Sequence, residues 1–194
     1  IKEVKFIDKK EKLTLLTIGR YAVKKKGFDL IEKISTHLKK ITDYKWIIIG
    51  RGTTNLLKEE YINKNLDHFQ IIEEIRNYDE DYFPHSKLIN YYKKSDVYVN
   101  LSRVEGCPIV LLDALSSKIP IVSFNTPGGD EIVMDNINGY LINENNFEIF
   151  AEKIAKSKLI NFKENSIQIE DKINFYDLDI NSKRIISSYK KIFY

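Results

Sequence analysis

Short runs of β-branched and other apolar residues alternate along this chain with segments in which apolar residues recur every three or four positions. The short runs predict six strands, at 13–18, 44–49, 68–72, 96–101, 119–124 and 139–142. The helical spacing predicts amphipathic helices at 30–41, 53–63, 86–92, 108–117, 146–158 and 180–194. The polar, acidic and aromatic stretch 77–84 predicts a loop.

Strands that alternate with helices, and that are apolar almost throughout, are typical of a parallel sheet covered on both faces. We therefore predict an α/β fold: a Rossmann-like, doubly wound parallel sheet of about six strands, as a single domain over residues 1–194. In such sheets ligands bind beyond the carboxyl ends of the strands, near the point where the strand order reverses. Four polar or glycine-rich segments follow predicted strands and should converge on that edge, at 19–20, 50–52, 102–107 and 126–131.

Composition excludes several classes of protein. With 43% hydrophobic and 30% charged residues, the chain can form a globular core and is not a disordered polymer. The formal net charge is only +3 and the lysines are spread over predicted helix faces, so we expect no nucleic-acid partner. The single cysteine, Cys107, excludes an internal disulfide and a multi-cysteine metal site. No apolar run approaches the roughly 20 residues of a membrane-spanning helix.

The segment 102–114 carries the strongest chemical signal. Glu105 and Gly106 form the turn between a predicted strand and a helix that begins at Pro108. The free N–H groups of a helix's first turn favour an anion, and glycine lets the backbone approach a ligand closely. Asp113 lies about a turn and a half inside the helix, so both acids can reach one cleft. Taken alone, the pattern also fits an ordinary strand-to-helix connection.

A second segment adds phosphate-binding chemistry. Gly19 and Arg20 follow the first strand, and Lys26 and Gly27 lie shortly downstream. Arginine presents a planar fork that suits phosphate oxygens, and lysine supplies a mobile point charge. Both side chains are therefore expected where a diphosphate would lie.

A third segment follows the fifth strand. Gly128 and Gly129 there permit either backbone contact with a ligand or a tight turn, and a helix could begin at Glu131.

Together these motifs resemble the C-terminal domain of the family 4 retaining glycosyltransferases, which have the GT-B fold. The resemblance runs from about residue 13 to 142, in order and at suitable spacings. It is carried by Gly19-Arg20, Lys26-Gly27, Ser102, Glu105-Gly106, Pro108, Asp113-Ala114, Pro120, Gly128-Gly129, Glu131 and Asn138-Gly139.

The resemblance implies metal-independent, configuration-retaining transfer from a nucleoside-diphosphate sugar such as a UDP-sugar. By position, Arg20 and Lys26 match the pair that holds the donor's diphosphate and stabilises the departing charge. Glu105 matches the acid beside the donor sugar, where attack from the leaving group's own side would leave it to orient the sugar. The donor-binding positions implied by the same match are Gly19, Gly106, Cys107, Pro108, Ile109, Asp113, Gly128, Gly129 and Glu131.

The resemblance also implies partners. The acceptor would be a saccharide or a lipid-linked molecule, in the synthesis of cell-surface polysaccharide or glycoconjugates, and it would be bound by an N-terminal half that this chain lacks. We therefore expect the isolated chain to be inactive. We expect no cofactor beyond the donor substrate and a cytoplasmic location, and we leave open a peripheral membrane contact through the other half.

The chain departs from the family pattern at two places. Asp113 is one methylene shorter than the Glu of the second acid position, which in the family binds the ribose hydroxyls. Residues 73–85 replace the usual short glycine-containing loop near the base, and Tyr82 and Phe83 are candidates to stack on it.

Other interpretations remain open at this level. Two acidic triplets have the Asp-x-Asp spacing of metal-dependent glycosyltransferases, but neither follows a convincing central strand, and we predict no metal; they are Asp79-Glu80-Asp81 and Asp177-Leu178-Asp179. The histidines lack metal-ligand spacing. A non-catalytic module that binds a nucleotide sugar and a sugar-nucleotide epimerase of the same fold are the alternative functions. Transfer to an acceptor would distinguish an enzyme from a module, and epimerisation without an acceptor would mark the epimerase.

Overall fold

The computed structural model describes residues 12–75, 86–143 and 145–193, and its centre is a six-stranded sheet. The strands are β1 Leu13–Ile18, β2 Tyr44–Ile49, β3 Phe69–Ile72, β4 Val97–Asn100, β5 Ile121–Phe124 and β6 Gly139–Ile142. Their spatial order is β3-β2-β1-β4-β5-β6, and neighbouring strands all run parallel. The order therefore reverses between β1 and β4, which makes the carboxyl ends of these two strands the topological switch point.

Helices cover both faces of the sheet. In the described residues they are α1 Val23–Lys26, α2 Ile31–Leu38, α3 Glu60–Asn63, α4 Ser86–Lys93, α5 Ile109–Ser116, α6 Phe147–Ala155, α7 Ser166–Tyr176 and α8 Leu178–Phe193. Successive strand residues point to opposite faces, so Leu15 packs on the side of α2, α3 and α6, and Leu16 on the side of α4, α5 and α7. The doubly wound, Rossmann-like fold predicted from the sequence is confirmed.

A buried polar chain ties the three central strands together. The indole Nε1 of Trp46 on β2 donates to Thr17 Oγ1 on β1 at 3.0 Å, and that hydroxyl donates to the carbonyl of Val99 on β4 at 2.7 Å. Each of these buried polar groups has a partner. The two hydrogen bonds therefore stabilise the strand order and leave no unsatisfied donor among these groups.

One predicted helix needs correction, and helix α7 has no counterpart in the prediction. The predicted helix 53–63 is a 3-10 segment, Thr53–Lys58, followed by the single turn α3, because Glu59 between them is extended at ψ 124°. Helix α7 was not predicted, because its apolar residues form no clear stripe and Ile169 is its one buried residue. The predicted loop 77–84, with Asp79-Glu80-Asp81, Tyr82 and Phe83, lies outside the described residues.

Two negative findings concern this described part of the chain. None of its helices has the length and apolar character needed to cross a membrane. Nor does it place three His, Cys, Asp or Glu side chains where they could share a metal ion. In the second acidic triplet, Asp177 precedes α8 and caps it by accepting a hydrogen bond at 2.9 Å from the N–H of Ile180.

Candidate functional site

Three loops carry the predicted site residues to the carboxyl edge of the sheet. They are 19–27 after β1, 101–108 after β4 and 125–132 after β5. β1 and β4 are neighbours at the switch point, and β5 lies beside β4, so residues distant in sequence meet at one edge.

Lys26 and Glu105 form the central contact of this edge. Lys26 Nζ lies 2.6 Å from Glu105 Oε1, and the two side chains are 20% and 9% exposed. Lys26 ends the single turn α1, and its aliphatic stem passes over Gly19, where an added Cβ would lie 3.8 Å from Lys26 Cδ. This ion pair is mostly buried, and Glu105 directly precedes Gly106, whose backbone is exposed. A positive and a negative group are therefore held next to backbone that a ligand can reach.

Gly27 fixes how closely the first loop approaches β4. It has the left-handed conformation, at φ 69°, and a Cβ at this position would lie 2.0 Å from the carbonyl oxygen of Leu101. Only glycine permits both the conformation and the contact. The close contact of Gly27 with Leu101 therefore holds the preceding residue, Lys26, next to the end of β4.

Asp113 lies on α5 and contacts Tyr92 of α4. The hydroxyl of Tyr92 donates to Asp113 Oδ2 at 3.4 Å. Burial raises the pKa of Asp113 to about 6, although the hydrogen bond from Tyr92 opposes the shift. This carboxyl is therefore poised to change protonation close to neutral pH.

Tyr98 shows that the two predicted acids face a common region. Its ring is buried on β4, where its hydroxyl donates to the carbonyl of Ile18 at 3.1 Å. Burial raises the pKa of Tyr98, and the negative charges of Asp113 and Glu105 raise it further. Both carboxylates thus act on one buried hydroxyl between β1 and β4.

The start of α5 presents backbone to solvent. Pro108 is the residue before the helix, is buried and offers no side-chain cap, whereas Gly106, Cys107 and Ile109 are exposed. The uncapped first turn of α5 keeps N–H groups available to an anion. Arg20 lies two residues after the end of β1 and is exposed. Its side chain has no hydrogen-bond partner among the described residues.

The loop after β5 closes the other side of the edge. Its backbone forms hydrogen-bonded turns through Gly129, Asp130 and Ile132, so the helix considered at Glu131 does not form. Glu131 is exposed, and its carbonyl accepts a hydrogen bond at 2.9 Å from Lys172 on α7.

Gly128 joins this loop to the loop after β4. It is buried at φ 80°, and an added Cβ would lie 2.0 Å from the carbonyl oxygen of Gly106. We expect Gly128→Ala to lower the free energy of unfolding by about 2 kcal/mol or more, from left-handed strain and a backbone clash. Chemical denaturation measures this loss.

Gly106 supplies the matched control. A Cβ added to it meets no atom within 4 Å, so Gly106→Ala should unfold like the wild type. If Gly128→Ala were equally stable, close contact between the two loops would not be a requirement of the fold.

Sequence analysis missed three residues that organise this edge. Arg103 binds Asp29 and the backbone of α1, Tyr92 contacts Asp113, and Glu73 accepts hydrogen bonds from the N–H groups of Gly52 and Thr54. Those bonds, with one from the Thr54 hydroxyl, hold the pKa of Glu73 below its ordinary value. No spacing signal marks these residues, since each contact joins segments that only the folded chain brings together.

Comparison with known proteins identifies the family. The model of a family described as glycosyl transferases group 1 matches residues 1–171. An uncharacterized glycosyltransferase of Haemophilus influenzae is 33% identical over 187 residues, which are 95% of this chain and 50% of that protein. The amylovoran biosynthesis glycosyltransferase AmsD of Erwinia amylovora is 29% identical over 141 residues, which are 72% of this chain and 37% of that protein.

Solved structures share the fold. TarM of S. aureus superposes with a TM-score of 0.71 at 23% identity, covering 98% of this chain and 38% of that one. The pneumococcal O-GlcNAc transferase GtfA superposes with a TM-score of 0.62 at 23% identity, covering 96% of this chain and 37% of that one. The chain thus spans half or less of the length of these relatives. It belongs to the glycosyl transferases group 1 family, and its six-stranded Rossmann-like fold is that of one half of a GT-B glycosyltransferase.

Proposed function

We propose that this chain is the donor-binding half of a glycosyltransferase and holds a nucleoside-diphosphate sugar at the edge formed by β1, β4 and β5. The observation that carries the proposal is the Lys26–Glu105 pair at the switch point, beside the uncapped start of α5. A cation and a helix N-terminus favour a diphosphate, and a carboxylate beside them can accept sugar hydroxyls.

The charges also suit the chemistry of transfer. When a sugar–diphosphate bond breaks, negative charge builds on the phosphate. Lys26, Arg20 and the first turn of α5 can stabilise that charge without a metal. On the family resemblance we extend the proposal to Glu105: held by Lys26 at 2.6 Å, it orients the donor sugar, and transfer retains the anomeric configuration without a covalent enzyme intermediate.

Uridine diphosphate is the first nucleotide to test. The TarM and GtfA structures that share this fold are both described as complexes with UDP. We extend this to a UDP-sugar donor here, and to a saccharide or lipid-linked acceptor bound by parts of the protein outside this chain. Relatives named for amylovoran biosynthesis and for peptide glycosylation support polysaccharide or glycoconjugate synthesis as the setting.

Titration calorimetry of the chain with UDP, GDP and ADP tests the proposal. We expect one diphosphate, with UDP favoured, to bind equally well in EDTA and in added Mg²⁺ or Mn²⁺. The same ligand should raise the free energy of unfolding by about 2.7 kcal/mol at a concentration of 100 times its Kd. Failure of all three nucleotides to bind would contradict the proposal, and a requirement for metal would contradict its metal-independent form.

Arg20→Ala serves as the variant in this titration. Arg20 is exposed and makes no contact that the fold needs, so the variant should unfold like the wild type. A lost charge-assisted hydrogen bond should weaken diphosphate binding about 10- to 100-fold. Unchanged affinity would remove Arg20 from the site while leaving Lys26 to be tested on its own.

A further inference from the structure

Arg103, in the loop after β4, makes a dense set of contacts with the loop after β1. Its Nη1 donates to the carbonyl of Lys24 at 2.8 Å and to Asp29 Oδ1 at 2.8 Å, and its Nη2 donates to Asp29 Oδ2 at 3.1 Å. Its backbone N–H donates to the carbonyl of Lys25 at 3.0 Å. Arg103 thus binds the segment 24–29, which begins within that loop, through four hydrogen bonds.

The ion pair with Asp29 is partly sheltered. The side chains of Arg103 and Asp29 are 23% and 25% exposed. Burial opposes ionisation of Asp29, but the hydrogen bonds and positive charge of Arg103 outweigh it and hold the pKa of Asp29 below its ordinary value. A bidentate guanidinium–carboxylate pair also fixes the relative orientation of its two partners, which a single-point lysine contact does not.

These contacts bear directly on Lys26. Lys24 and Lys25 are the two residues before it in α1, a helix of four residues, none of which is fully buried. A single turn has little stability of its own, so tertiary contacts determine its position. The carbonyls of its last turn are the negative end of the turn, which favours a cation there.

Arg103 also lies two residues before Glu105. The residue that holds α1 therefore belongs to the same short loop as the partner of Lys26, and Gly27 packs against Leu101 just ahead of that loop. Lys26 and Glu105 are 79 residues apart in sequence, and the Arg103 contacts are a second link between the segments that carry them.

We propose that Arg103 is a positioning residue that sets Lys26 Nζ against Glu105 and keeps both at the diphosphate-binding edge. The proposal rests on the proposed function for the statement that this edge binds a diphosphate. The coupling of Arg103 to Lys26 is a property of the ligand-free chain and does not rest on it.

Chemical labelling of lysines in the ligand-free chain tests the coupling. Competitive amine acetylation, resolved to single lysines by fragment-ion mass spectrometry, is compared between the wild type and Arg103→Gln. We expect the labelling rate of Lys26 to rise about fivefold in the variant, because the ion pair that shelters it loosens. Lys64, which follows α3, pairs with Glu60 and should label at an unchanged rate.

Matched variants separate positioning from general destabilisation. Glu105→Gln removes the pair directly and sets the upper limit of Lys26 labelling. Asp29→Asn should give a smaller increase than Arg103→Gln, because it leaves the side-chain bond from Arg103 to the carbonyl of Lys24 in place, whereas the backbone bond to Lys25 is present in both variants. Arg184→Gln removes an equal charge from the exposed surface of α8 and should leave the rate unchanged.

Titration with UDP gives the second measurement. Arg103→Gln should weaken UDP binding about fivefold, and Arg103→Lys should recover part of the loss, because it keeps one donor and the charge. Unchanged Lys26 labelling in folded Arg103→Gln would overturn the proposal, as would an equal rise at every lysine. If Lys26 labelling rises but the wild type binds no diphosphate, the positioning role stands and the proposed function fails.

Discussion

Under the proposed function, replacing Lys26 by methionine should lower the rate of sugar transfer from a UDP-sugar at least about 100-fold. Lys26 is the cation within the site that contacts Glu105. Loss of one group that stabilises developing charge in a site from which water is excluded typically lowers the reaction rate by a factor of this size. Initial rates with a UDP-sugar and its acceptor measure the loss, and calorimetry with UDP shows how much of it lies in ground-state binding.

Lys25→Met is the matched control for this prediction. Lys25 is the preceding residue, its side chain is exposed, and the same change there removes the same charge. It should retain close to wild-type activity. Equal losses in the two variants would mean that general positive charge in α1, and not the position of Lys26, supports the reaction.

A double variant separates catalysis from stability. Lys26→Met alone leaves the carboxylate of Glu105, 9% exposed, without its partner, which should cost about 1–3 kcal/mol of folding free energy. Removing both charges with Lys26→Met and Glu105→Gln should recover most of that stability, since neither group is then left buried and unpaired. Activity should not recover, because the charge that stabilises the leaving diphosphate is still absent.

The strands were accessible from sequence because the buried parallel strands are nearly continuous in apolar residues. β2, with Trp46 and the isoleucines 47–49, and β4 both show this pattern, and both are buried throughout their central positions. The hydrophobic pattern does not predict the order of the strands in the sheet. Periodicity predicts which segments are strands, but the neighbours of β1 depend on how the helices cross the sheet.

The site was predicted unevenly for a related reason. Lys26 and Glu105 were both assigned from local motifs and a family resemblance, and the fold brings them to 2.6 Å. Their mutual contact depends on the approach of Gly27 to Leu101, which a motif does not encode. Arg103 and Asp29 have no motif at all, since an isolated arginine in a loop and an acid before a helix are both common on surfaces.

Helix α7 shows a different limit. Its residues bury little, so the amphipathic pattern that reveals α2 and α6 is absent. It nevertheless brings Lys172 to the carbonyl of Glu131, and burial together with the nearby negative charge of Glu131 raises the pKa of Tyr176. A weakly amphipathic helix thus reaches a predicted site through a loop contact, while Ile169 anchors it in the core.

Asp113 gives the last prediction, a dependence of donor binding on pH. Burial raises the pKa of Asp113 to about 6 in the free chain. If its carboxylate accepts ribose hydroxyls, binding favours the ionised form and lowers that pKa in the complex. By linkage, the Kd for a UDP-sugar should be constant above about pH 7 and should rise about tenfold between pH 7 and pH 5, because binding must then displace a proton.

The stability of the free chain should depend on pH in the opposite direction to donor binding. The folded pKa lies above that of an unfolded Asp, about 3.9, so the folded state binds more protons between these values. The free energy of unfolding should therefore fall as pH rises from about 4 to about 6, and Asp113→Asn should flatten this dependence. Denaturant titrations of the two proteins across this range measure the difference.

Asp113→Asn is also the decisive variant for binding. Asparagine keeps an acceptor oxygen of similar size but does not titrate, so the variant should bind the UDP-sugar with the same affinity at pH 5 and pH 7. A UDP-sugar is preferred to UDP here because a terminal phosphate has its own pKa of about 6, which would add a second pH dependence. If the variant kept the tenfold weakening of the wild type, the proton would belong to another group. Asp113 would then lie beside the donor without contacting it, and its shorter side chain would mark a real departure from the ribose contact implied by the family resemblance.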